Sequence, residues 1–124
     1  MINPYKNYKN MSINTMTKGE QLVLLFDKIV QRLTLATILF QDNKIEEAIV
    51  NLNKTKDIFN FLMVNLDSNY EISKNLMELY TFFNAEIIKS AAKKDISPIT
   101  EILPIVKDLR DTWEEAEKLS RINK

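Results

Sequence analysis

The fold of this protein is decided by residues 17–40, which read TKGEQLVLLFDKIVQRLTLATILF. Thr17 and Glu20 have the spacing of a capping box, in which the threonine oxygen accepts from a first-turn N–H group and the glutamate reaches back. Apolar residues then recur with the period of one helix face, at Leu22, Phe26, Ile29, Leu33, Ala36 and Phe40. Others lie on the remaining sides, at Leu24, Leu25, Val30, Leu35, Ile38 and Leu39. Because a helix that is apolar on most sides is usually central, the stretch predicts a central helix from Thr17 to about Phe40.

Three further segments keep the same helical period. They run from about Lys44 to Leu66, from the polar link at residue 68 to about Lys93, and from Ser97 to the end of the chain. Helices of this length joined by links of a few residues pack as antiparallel neighbours. The sequence therefore predicts an all-α protein, an antiparallel up-down-up-down four-helix bundle over residues 17–124, preceded by a flexible N-terminal arm over residues 1–16.

The residues in the links indicate where the later helices begin. Either Asp42 or Asn43 can cap the second helix with its side chain. Residues 68–71 match a second capping box. The Ser97–Pro98 pair predicts serine as the cap and proline as the first helical residue, where its missing N–H costs nothing. Pro104 removes a backbone hydrogen bond inside the fourth helix, so it predicts either a bend or a helix that begins later.

Composition excludes most kinds of chemistry. The chain has no cysteine and no histidine, which rules out thiol chemistry and removes the commonest general base and metal ligand. Gly19 is the only glycine, so a glycine-rich phosphate loop cannot be built. Seventeen basic residues balance seventeen acidic ones, which argues against nucleic-acid binding. No apolar run approaches the roughly 20 residues that span a bilayer. We expect a cytoplasmic protein that is not an enzyme, with no cofactor, no metal site and no membrane insertion.

The second helix carries an additional apolar stripe that points to a partner. Val50, Ile58, Phe61 and Val64 lie roughly opposite the stripe that faces the core. Three explanations remain open: contact with the N-terminal arm, a groove for the amphipathic helix of another protein, or homodimerisation. We assign Val50, Ile58 and Phe61 as candidate partner-binding residues, with Phe82 as a further candidate. Trp113 is assigned either as a core anchor or as a partner contact.

Several short motifs of the chain resemble those of one known protein family. The arm has paired tyrosines at Tyr5 and Tyr8, and residues 12–15 read SINT, similar to the Ser-Val-x-Thr of the family. Residues 24–28 read LLFDK and resemble the Leu-Tyr-Asp-Gly of its first helix, with Phe26 in place of tyrosine and Lys28 in place of glycine.

The resemblance continues through the rest of the chain. Residues 51–58 read NLNKTKDI, which is similar to the family pattern Asn-Leu-x-Lys-Ala-x-x-Ile. The Leu66–Asp67 link, residues 75–80 and the LRDTW of residues 109–113 follow in the same order as in the family. The shared order and spacing cover about 110 residues, so the chain is identified as a member of the flagellin export chaperone family, FliS.

The resemblance implies a function and partners. A member of this family binds the disordered C-terminal segment of flagellin in the cytosol, prevents its premature polymerisation, and delivers it to the flagellar type III export gate, whose component FlhA is the second expected partner. It also implies that the arm can cover part of the client-binding groove and that the region of Tyr5 and Tyr8 contributes to recognition of the gate. Our own hypothesis is that Tyr5, Tyr8 and Ile13 cover apolar residues of the bundle when no client is bound. The runner-up is a four-helix adaptor or regulatory subunit that binds another helix, and a carrier of an apolar small molecule comes third. Homodimerisation of the free protein is a further expectation.

Overall fold

The four segments of the sequence in which apolar residues recur with a helical period form four helices. The computed structural model describes residues 16–122. Its helices are α1 (Lys18–Gln41), α2 (Ile45–Val64), α3 (Ile72–Lys93) and α4 (Ser97–Ile122). α1 packs against α2 and α4, and α3 packs against the same two helices from the other side. This arrangement confirms the all-α, antiparallel four-helix bundle. The predicted arm lies almost entirely outside the described residues.

The start of α1 is the predicted capping box. The Glu20 backbone N–H donates to Thr17 Oγ1 at 3.1 Å, and the Thr17 N–H donates to the Glu20 carboxylate at 3.4 Å. Two of the donors that a helix N-terminus leaves free are thereby satisfied. The helix ends at Gln41 with Asp42 as its C-cap, and Asn43 turns the chain with a left-handed φ of 62°, a conformation that asparagine tolerates better than most residues.

The predicted caps of α2 and α3 are wrong. Lys44 occupies the N-cap of α2 and makes no side-chain cap bond, because Asp42 and Asn43 already close the end of α1. α3 begins only at Ile72, so residues 68–71 form a turn and not a capping box. That turn is organised by the Asp67 carboxylate, which accepts a hydrogen bond from the Asn69 N–H at 2.9 Å.

At the start of α4, Ser97 is the first helical residue and not the cap. The Asp95 carboxylate caps this turn, since it accepts from the Ser97 N–H at 3.1 Å and from the Ser97 hydroxyl at 2.9 Å. These bonds hold the pKa of Asp95 below its usual value. The alternative that α4 begins after Pro104 is also wrong, because one helix runs through it. Pro104 and Thr100 are exposed, so water can satisfy the carbonyl that the proline leaves without a donor.

The core is apolar and its centre is aromatic. Each helix contributes fully buried residues: Phe26, Ile29, Leu33 and Ala36 from α1, Ala48, Leu52 and Phe59 from α2, Phe83 and Ile87 from α3, and Ile99, Ile102 and Val106 from α4. α1 is not buried on every side, because Leu24, Leu35 and Ile38 remain 44–49% exposed. An apolar surface therefore remains on the outer side of α1.

Three polar contacts fix the register of the helices. Arg110 of α4 donates to Asp27 of α1 at 3.0 Å, which raises the pKa of the guanidinium. Between α1 and α2, Arg32 Nη1 donates to Asn51 Oδ1 at 3.2 Å. The α2–α3 pair is joined by Asn84 Nδ2, which donates to Asn60 Oδ1 at 2.9 Å.

Candidate partner-binding surface

A cleft opens at the end of the bundle where α1 and α3 begin and α2 ends. We call it the end cleft, and its volume is about 320 Å³. All four helices contribute to its lining, which consists of Lys18, Gln21, Leu22 and Leu25 of α1, Phe61, Leu62, Asn65, Leu66 and Asp67 at the end of α2, Tyr70, Ile72, Ser73, Leu76 and Tyr80 of the turn and α3, and Trp113 of α4.

Aromatic rings connect the end cleft to the core. The Trp113 ring lies 6.4 Å from the Phe26 ring, and the Tyr80 ring lies 5.7 Å from the Phe59 ring, measured between centroids. Such tilted arrangements are favourable beyond the area they bury. Trp113 packs on the core, as its first assignment requires, and it also lines the end cleft, while its contact with a partner stays a prediction.

The polar atoms of these two rings stay inside an apolar environment. Burial raises the pKa of Tyr80 to about 12, and the neighbouring Trp113 indole opposes that rise. The Trp113 Nε1–H is close enough to act on the phenol, yet within residues 16–122 it meets no acceptor with hydrogen-bond geometry. At neutral pH the wall of the end cleft therefore carries the protonated phenol of Tyr80 and an indole N–H of Trp113 that has no acceptor among residues 16–122.

The raised pKa of Tyr80 makes stability depend on alkaline pH. Its pKa in the unfolded chain is near 10.0 and in the folded chain about 12, so the folded state binds the proton more tightly. The stabilisation that the protonated Tyr80 phenol gives to the folded state is full below pH 10. It should be lost as the pH rises to 12, which lowers the free energy of unfolding by up to roughly 2 kcal/mol. Urea unfolding at pH 10 and 11.5 measures it. The free energy of unfolding of the Tyr80→Phe variant should fall less than that of the parent protein between these two pH values. An equal fall in both proteins would contradict the assignment.

The structure brings two of the predicted site residues together and separates the others. Phe61, which is 55% exposed, and Trp113 line the end cleft. Ile58 is half-buried and packs against the core cluster. Val50 and Phe82 are exposed but lie outside the cleft, Val50 near the start of α2 and Phe82 on the outer side of α3.

The three arm candidates, Tyr5, Tyr8 and Ile13, lie outside the described residues. Sequence reasoning missed most of the cleft, including Leu22, Leu25, Leu66, Tyr70, Ile72 and Leu76. These residues share one property: each lies near a helix end, and the predicted up-down topology brings those ends together at one end of the bundle. The topology could therefore have identified them.

The lining of the end cleft suits apolar side chains. Within residues 16–122, no three acidic, histidine or cysteine side chains are close enough together to hold a metal ion. None of the four helices has a stretch apolar enough to cross a bilayer. The cleft is lined by leucines, aromatic rings and a few polar groups at its rim, and an apolar surface of this kind usually marks an interaction site.

Comparison with known proteins agrees with this description. The family model described as flagellar protein FliS matches residues 1–120. The flagellar secretion chaperone FliS of Bacillus subtilis (strain 168) is 29% identical over 114 residues, which is 92% of this chain and 86% of that protein. The flagellar secretion chaperone FliS of Escherichia coli (strain K12) is 32% identical over 108 residues, covering 85% and 79% of the two chains.

The helical bundle, its open cleft and these relatives define a flagellar secretion chaperone, a class of protein that acts by binding and not by catalysis. The family match covers nearly the whole chain, and the similarity to both relatives extends over most of their length. The chain belongs to the FliS family.

Proposed function

We propose that this protein acts in the cytosol, where it binds the disordered C-terminal segment of flagellin and prevents its premature polymerisation. The observation that carries the proposal is the end cleft, an open apolar cavity of about 320 Å³ beside a core of fully buried side chains. A disordered segment loses conformational entropy when it binds, so it needs a large apolar surface to compensate. The cleft and the exposed apolar residues of α1 and α2 supply such a surface.

Titration calorimetry with the full chain tests the proposal. A peptide of the flagellin C-terminal segment should bind, with a negative heat-capacity change from apolar burial. Flagellin that lacks this segment is the control and should not bind. Absence of binding by the intact segment would favour the alternative, a four-helix adaptor for another helix.

We propose delivery to the export gate as the second part of the function, with FlhA as the gate component. The family resemblance of the arm and helices supports it. Co-purification with the cytosolic part of FlhA should be stronger for the chaperone loaded with flagellin than for the free chaperone. A homodimer of the free protein stays a prediction, which sedimentation with and without the segment checks.

We also propose that the arm, residues 1–16 with Tyr5, Tyr8 and Ile13, covers the end cleft when no client is bound. Gln21, which lines the cleft, donates to the Met16 carbonyl at 3.3 Å, so the arm joins the bundle at the cleft rim. Its two tyrosines and Ile13 have the amphipathic or apolar character that the cleft accommodates.

Deleting residues 1–14 should raise the affinity for the flagellin segment, because a competing cover is removed. If the arm occupies the cleft about 90% of the time, the gain is about tenfold. A matched control keeps the arm and replaces Lys6 and Lys9 with glutamine, which leaves Tyr5, Tyr8 and Ile13 in place and should change little. Equal affinity with and without the arm would remove this part of the proposal.

A further inference from the structure

The outer sides of α1 and α2 carry the same pattern in opposite directions. In α1 the order is Leu24, Lys28 and Leu35, and in α2 it is Val50, Lys54 and Phe61. In both cases the lysine follows the first apolar residue by four positions and precedes the second by seven, so each set lies along one stripe of its helix. All six side chains are exposed. We call this surface, together with Arg32, the α1–α2 face.

The Arg32–Asn51 hydrogen bond aligns the two stripes. It joins α1 and α2 at 3.2 Å, so Arg32 and Asn51 lie at the same level of the bundle. Because the helices are antiparallel, the residue one turn before Arg32 in α1 lies at the level of the residue one turn after Asn51 in α2. Lys28 and Lys54 are therefore at the same level, in the middle of the face. Leu24 and Phe61 lie toward one end, while Leu35 and Val50 lie toward the other.

The cations of this face are not paired. No ion pair joins Lys28, Arg32 or Lys54 to a carboxylate of residues 16–122. Arg32 is half-buried, and among residues 16–122 its one hydrogen bond to another side chain is to a neutral amide. Its Nε–H is buried and meets no partner in the described part of the chain, although a guanidinium normally binds carboxylates with two parallel N–H groups.

We propose that the α1–α2 face binds an amphipathic helix of the client whose apolar side chains bracket one or two carboxylates, which pair with Lys28, Arg32 and Lys54. The inference rests on the proposed function for the identity of the client. The distance from Leu24 to Leu35 is three helical turns, about 16 Å, so a helix of four turns covers the face. Phe61 belongs to both this face and the end cleft, so one polypeptide can occupy both without a break.

Two other occupants fit less well. A second copy that docked through this face by two-fold symmetry would place its own lysines against Lys28 and Lys54. A nucleic acid would place phosphates beside the exposed apolar residues at both ends, and the chain has no net positive charge to attract it. An acidic amphipathic helix satisfies the cations and buries the apolar ends at once.

Calorimetry with the flagellin segment tests the inference. The charge variant Lys28→Gln/Arg32→Gln/Lys54→Gln should bind about tenfold more weakly than the parent at low salt, and the difference should shrink at 1 M salt. Circular dichroism checks that the variant remains folded, and Lys28→Gln/Lys54→Gln, which leaves the half-buried Arg32 in place, should give a smaller loss. The matched control Lys74→Gln/Lys107→Gln removes two exposed cations outside the face and should bind like the parent. Equal loss in the control, or no loss in the charge variant, would overturn the inference.

A designed peptide pair keeps this result separate from the proposed function. Both peptides are helices with two leucines three turns apart, and one carries two glutamates between them where the other carries glutamines. If the flagellin segment does not bind, the proposed function fails, and tighter binding of the glutamate peptide still supports the α1–α2 face. Binding of the two peptides with equal affinity, or no binding of the glutamate peptide, counts against the face itself.

Discussion

Replacing Phe59 with alanine should lower the free energy of unfolding by about 3–5 kcal/mol, the usual cost of removing a large aromatic side chain from a core. Phe59 is fully buried, and its ring centroid lies 5.3 Å from that of Phe83 and 6.2 Å from that of Phe26. Small domains have a total stability of about 5–15 kcal/mol, so the loss is a large fraction of it. Urea unfolding followed by circular dichroism measures the change.

Phe82→Ala is the matched control for this substitution. Phe82 is 45% exposed on the outer side of α3, so the same chemical change should cost well under half as much. If the two variants lost similar stability, the aromatic cluster would not be the centre of the core.

Replacing Phe61 with aspartate should weaken binding of the flagellin segment by about ten- to a hundredfold while leaving the bundle folded. Phe61 lines the end cleft but is 55% exposed, so the bundle loses little packing. A client that covers this position would have to bury the new carboxylate without a partner, which is costly. Calorimetry gives the affinity, and thermal unfolding checks the fold.

Val64→Asp adds the same charge to the same helix one turn later. Val64 is 84% exposed and does not line the end cleft, so this variant should bind almost as well as the parent. A similar loss in both variants would indicate a general charge effect and would remove Phe61 from the binding surface.

The helices could be predicted from the sequence because burial imposes a regular period. The core positions of α1 follow directly from that period, and Thr17 with Glu20 caps it as expected. The later caps could not be predicted by matching residue types, because each link serves two helices. Asp42 and Asn43 are suitable caps for α2, but they are needed to end α1. Which helix uses them depends on how closely the two helices approach.

The binding surface was only partly predictable for a related reason. The period of α2 identified Phe61 as an apolar residue outside the core stripe, and that is correct. It could not separate Phe61 from Ile58, because a half-buried position and an exposed one can be neighbours on the same stripe. Leu25 and Leu76 resemble core residues along their own helices, and together with Leu66 of the link they become cleft residues only where three helix ends meet.

Trp113 also gives the molecule an internal optical reporter. It is the only tryptophan in the chain, so all indole emission comes from the wall of the end cleft. Its buried Nε1–H meets no partner among residues 16–122, and an acceptor brought in by a client would change both the polarity and the hydrogen bonding of the excited ring. Binding of a client at the end cleft can therefore be followed by the intrinsic fluorescence of Trp113, without a label and without a substitution.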